Sequence, residues 1–158
     1  MDIQFTEEQE LLRSSVQRML RDQYDFDARR KIVASEEGLG RRQWDEFAEL
    51  GLLAAPFSEA VGGLSGGPLS TMIIMHEFGR HLVVEPFVET VVVAGSLIER
   101  AGSEAQKQAY IADIIAGSKL WTLAWTEKGS RILWMADQLK AGVVWANTFN
   151  KFDPTSPF

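Results

Sequence analysis

"FTEEQELLRSSVQRML", residues 5–20, decides the fold class. Thr6-Glu7-Glu8-Gln9 has capping-box spacing: a hydroxyl that can accept the third amide onward, and a side chain three residues on that can reach back. Leu12, Val16, Met19 and Leu20 then recur on one helical face. Acids fill the first turn, and Arg18 and Arg21 the last, which suits the helix dipole. The spacing predicts an amphipathic helix over about 6–24.

Outward from that helix, the punctuation repeats the theme. A second helix carries Trp44, Phe47 and Ala48 on one face, with Gly51 as its stop. "APFSEAVGGLSGGP" reads as a loop. Pro68 opens a third helix running to about Arg80. After the break at Pro86 comes an apolar helical segment from Val88 to Glu99. Ser103 caps a fifth helix that turns Tyr110, Ile111, Ile114 and Ile115 inward and ends at Gly117. "KLWTLAWT" changes character: its aromatic and β-branched residues predict a strand. A helical run from Ile132 to Gly142 and a strand at "VVWANTF" follow. The expected fold is mainly α, with about five to six helices and a short strand–helix–strand tail.

Bulk composition removes whole classes of function. The chain has 158 residues, a formal charge of −6 and no cysteine. An acidic surface is no grip for nucleic acid or anionic lipid. Without cysteine there is no disulfide, thiolate metal site or cysteine nucleophile. No apolar run approaches bilayer length. The acidic N-terminus shows no apolar signal segment, so a cytoplasmic protein is expected. His76 and His81 stand five apart on a helix, facing different sides, and predict no metal site. Glu77 and Arg80 read as solvated helix contacts. "GGLSGG" lacks phosphate-loop spacing and reads as a flexible connector.

Four ordered blocks, "FTEEQELLRSSVQRML", "WDEFAELGLLAAPFSEAVGGLSGG", "HEFGRHLVVEPFVETVVVAGSLI" and "GSEAQKQAYIADIIAGSKLWTLAWTE", resemble the N-terminal helical domain of the acyl-CoA dehydrogenases. The likeness covers about residues 1–131. It implies a helical domain over 1–120 and the start of a flavin-binding β-domain over 121–131. "ADQLKAGVVWANTFNKFDPTSPF" is similar to a segment near the C-terminus of the aldehyde dehydrogenases. Residues 132–158 are therefore expected to be a fused fragment, with the seam between about Gly129 and Ile132.

The family's reaction implies FAD and an acyl-CoA thioester: a carboxylate removes a proton next to the carbonyl while hydride leaves the β-carbon. By resemblance, Glu89, Thr90, Val93, Ala94 and Leu97 line the acyl pocket, and Leu123, Trp125 and Thr126 meet the flavin. The family's threonine and glutamate stand here as Thr126 and Glu127, but Lys128 replaces its proline. No glutamate of this chain matches the family's base, so no catalytic residue is assigned. The expectation is a truncated protein without independent catalysis that does not hold FAD stably. The alternative is an interaction subunit that docks on a full-length dehydrogenase.

One energetic consequence concerns partners. In the family this domain packs against a β-domain and a C-terminal bundle. A chain without them leaves apolar faces of its fourth and fifth helices in water, each large side chain forfeiting roughly 1.5–3 kcal/mol of burial. A homo-oligomer, or association with another dehydrogenase subunit, is the expected remedy.

Overall fold

The computed structural model describes residues 4–122. These residues form six helices, and no strand occurs among them. The first is α1 (Glu7–Gln23), whose capping box is complete: Thr6 accepts from the Gln9 amide and the Gln9 side chain accepts from the Thr6 amide. Val16, Met19 and Leu20 are buried, as their spacing predicts, and Leu12 is half-buried against the same core.

α2 (Phe26–Ala34) has no counterpart in the sequence reading. Asp25 caps it by accepting from the Ala28 amide. The helix buries only Ile32, too little periodicity to announce itself. α3 (Arg41–Glu49) buries Trp44 and Phe47, with Gly51 just beyond its end, and α4 (Gly67–His81) starts around Pro68. Phe47 stacks on Phe78 at 4.7 Å, and Phe78 meets Phe87 edge-on at 5.4 Å, so one aromatic row joins α3, α4 and the chain after Pro86.

The segment between α3 and α4 is not a flexible connector. It buries Leu52, Leu53 and Phe57 and closes on itself through backbone bonds from Ser65 to Phe57 and from Gly66 to Ala55. Gly63 lies so close to this turn that a Cβ there would stand 2.2 Å from the Phe57 carbonyl oxygen. Glycine is needed for close approach, not for looseness.

α5 spans 88–101 and has two windings. Val88–Gly95 is a π-helix, and Ser96–Ala101 continues it as an α-helix. α6 spans 104–115, with a second capping box at Ser103 and Gln106 and a π-helical turn at Lys107–Ile111. Ile111 and Ile114 are buried, while Tyr110 and Ile115 are half-buried. The indole of Trp44 donates to the Gly117 carbonyl at 3.1 Å, fastening the end of α6 to α3.

The described part of "KLWTLAWT", residues 119–122, forms no strand. Trp121 pairs with a side chain rather than with another backbone. The rest of that stretch, the expected helix from Ile132, the strand at "VVWANTF" and the seam near Gly129 lie outside the described residues. The first compact unit of the chain ends at Trp121.

Candidate functional site

α5 divides its residues between two environments. Val91 and Ile98 are buried in the core, and Thr90 and Ala94 are buried beside them. Glu89 is exposed, and Val93 and Leu97 remain 40 % and 37 % exposed. The five residues assigned by resemblance to the acyl pocket therefore do not share one surface. Glu89, Val93 and Leu97, four residues apart, form a row open to solvent. Thr90 and Ala94 face the domain. A π-helix is a rare winding, frequent at functional sites.

Thr90 is fully buried, and its hydroxyl makes two bonds to one residue. It donates to the Trp121 carbonyl at 2.9 Å and accepts from the Trp121 amide at 3.1 Å. The Trp121 ring lies 4.9 Å from that of Tyr110 on α6, and its buried indole N–H has no acceptor. Sequence reasoning placed Thr90 in a pocket and missed this partner, 31 residues away. Leu123, Trp125 and Thr126 lie outside the described residues.

A second polar cluster sits between α1 and α4. Glu77 is completely buried, contrary to its reading as a solvated contact, because α1 lies along α4 and covers it. Its Oε1 accepts from Gln17 at 3.0 Å, His76 at 3.1 Å and Arg13 at 3.3 Å. Oε2 receives no hydrogen bond, and Arg80 stands 3.9 Å away. Burial alone would push this carboxyl's pKa up. The bonds from Gln17, His76 and Arg13, with the Arg80 charge, more than offset that and hold it below the usual range. Beside the cluster lies a recess of about 240 Å³ lined by Phe5, Arg13, Met72, Ile73, His76 and Glu77.

The other buried acid among the described residues is Glu85. Its Oε2 accepts from the Tyr24 hydroxyl at 2.7 Å and its Oε1 from the Gly40 amide at 3.2 Å. The Tyr24 oxygen in turn accepts from the Val84 amide at 3.0 Å. Burial first, and the bond to Glu85 after it, push the Tyr24 hydroxyl above its ordinary range. Both of these acids are thus engaged in hydrogen bonds that hold the fold together. His76 and His81 belong to no cluster of three metal-ligating side chains among the described residues. No helix there is long and apolar enough to cross a membrane.

Comparison with known proteins agrees with this architecture. Residues 6–118 match the family model described as "Acyl-CoA dehydrogenase, N-terminal domain". The chain is 26% identical over 95 residues to acyl-CoA dehydrogenase FadE27 of Mycobacterium tuberculosis, covering 60% of this chain and 26% of that protein. It is 28% identical over 133 residues to the short-chain-specific acyl-CoA dehydrogenase of Clostridium acetobutylicum, covering 80% and 34%. Among solved structures it superimposes on the ChsE4-ChsE5 complex from Mycobacterium tuberculosis with a TM-score of 0.73 at 25% identity, covering 82% of this chain and 36% of that one. The chain spans about a quarter to a third of the length of these relatives.

Proposed function

This chain belongs to the acyl-CoA dehydrogenase family, and from that premise we propose that it supplies one wall of an acyl-CoA site without carrying out dehydrogenation by itself. The observation that carries this reading is the open row Glu89, Val93 and Leu97 on a helix whose other side is locked into the core. The exposed Val93 and Leu97 side chains of that row suit an acyl chain, with Glu89 at its end.

The family's FAD accepts hydride from the acyl β-carbon. The proposed flavin contacts are Leu123, Trp125 and Thr126, beyond the described residues. No proton acceptor is assigned either, since Glu77 and Glu85 are spent on internal bonds and Glu89 stands on the open surface. The tail over 132–158, read as an aldehyde dehydrogenase-like fragment, adds no chemistry of that family, because a chain without cysteine has no thiolate nucleophile.

Two measurements test this. Titration of labelled protein with butyryl-CoA should shift the amide resonances of Glu89, Val93 and Leu97, with free CoA giving no such shift. Protein mixed with FAD, butyryl-CoA and an electron-accepting dye should not reduce the dye. Unmoved α5 resonances would sink the wall, and dye reduction would sink the claim that the chain is not a catalyst alone.

A second reading, docking on another dehydrogenase subunit, is supported by the likeness to ChsE4-ChsE5, which is itself a two-component complex. Sedimentation of the chain with and without a full-length family member separates the two: a mixed species favours docking, and independent boundaries exclude it.

A further inference from the structure

We propose that Thr90 is a positioning residue that fixes the direction in which the chain leaves the helical domain. Its hydroxyl spans both backbone groups of Trp121, donating to the carbonyl at 2.9 Å and accepting from the amide at 3.1 Å. One side chain thereby does what a neighbouring strand would do for that residue, satisfying its donor and its acceptor together.

Three observations concentrate this role on Thr90. It is fully buried in the π-helical part of α5, so the clamp is sheltered from competing water. Trp121 is the last residue of the first compact unit, which places the clamp at the exit of the domain. The Trp121 ring rests on Tyr110 of α6, 4.9 Å away, giving the clamped residue a second support from a different helix. Backbone held at one residue by two bonds and a ring contact has little freedom to swing at the point where the helical domain ends.

The clamp also ties two features of α5 together. The helix that exposes Glu89, Val93 and Leu97 holds Trp121 by its buried side, so a displacement of α5 carries the exit residue with it. This inference does not depend on the acyl-CoA reading, because its test uses no ligand.

The test compares wild type with Thr90→Val and Thr90→Ser in the full chain by amide hydrogen exchange and two-dimensional NMR. Valine keeps the shape of threonine but has no hydroxyl, whereas serine keeps the hydroxyl. T90V should speed exchange of the Trp121 amide about tenfold or more while Val16, Phe47 and Ile114 keep their protection. The resonances of residues 123–126 should move in T90V and return toward wild type in T90S. Unchanged Trp121 exchange in T90V would overturn the clamp. Faster exchange with residues 123–126 unmoved would overturn positioning. A T90S variant as perturbed as T90V would assign the effect to packing and overturn the role of the hydroxyl. If T90V loses protection throughout, T90S alone decides: wild-type exchange at Trp121 supports the clamp and accelerated exchange rejects it.

Discussion

Phe57 presses the edge of its ring onto the backbone of Gly95 so closely that a Cβ there would stand 2.4 Å from Cζ and 2.8 Å from Cε1. Real Cβ atoms do not approach ring carbons that closely, so any side chain at 95 must displace a buried ring or the helix itself. Gly95→Ala should therefore destabilise the protein by about 1–3 kcal/mol, the usual cost of overfilling a packed core. Chemical denaturation measures it. In a Phe57→Leu background the penalty should shrink, because the smaller side chain vacates the space; an additive double mutant would refute the contact as the cause.

Glu77 makes the stability of the α1–α4 pair depend on acid. Its folded-state pKa is lowered, so its contribution is fully present above the unfolded value of about 4.3 and is lost as pH falls through the folded one. The groups facing it are Arg13 and Gln17 from α1 and His76 and Arg80 from α4. Glu77→Gln should cost about 1–3 kcal/mol at neutral pH, by weakening charge-assisted bonds from part-exposed donors to a buried carboxylate. The difference from wild type should narrow on acidification. Melting curves across the acid range check both statements, and a constant difference would contradict the linkage.

Tyr24 carries the opposite sign. Its hydroxyl is pushed above the ordinary range, so its contribution holds below the unfolded value of about 10 and is lost as pH rises toward the folded one. Phenolate absorbance should show a component that appears only when the protein unfolds in alkali, and Tyr24→Phe should lack it. The same variant leaves the Val84 amide without its acceptor and Glu85 Oε2 without its donor, for a loss of about 1–3 kcal/mol at neutral pH.

The two sides of α5 should respond differently to truncation. Ile98→Ala on the buried side should cost about 2–5 kcal/mol. Val93→Ser and Leu97→Ser on the open side should stay within about 0.5 kcal/mol of wild type, and should weaken the butyryl-CoA-induced shifts on α5. Equal losses on both sides would mean that the row is core.

What the sequence made legible was whatever rested on local chemistry. Thr6 with Gln9 and Ser103 with Gln106 announce helix starts through partners three residues away, and Pro68 through its fixed φ in the first turn; the three helices start there. What it hid depended on distant partners. Glu77 looks like half of an exposed pair with Arg80 because its principal donors, Arg13 and Gln17, are more than fifty residues away. Thr90 looks like a pocket residue because Trp121 is invisible from position 90. The π-helical winding of 88–95 escaped because apolar periodicity was read at 3.6 residues per turn. α2 escaped because it buries a single large residue.

That shallow burial has a consequence of its own. Tyr24 and Gly40 flank α2, and both end on Glu85, one on each carboxylate oxygen. The intervening residues form a loop cinched at its neck, held by its base far more than by its own packing; Arg29 adds one exposed bond to the Leu82 carbonyl. A loop held this way is expected to open ahead of the aromatic row behind it, and faster amide exchange over residues 26–34 than at Phe47 or Phe78 would show it. The neck of that loop rests on a single carboxylate four residues past the end of α4.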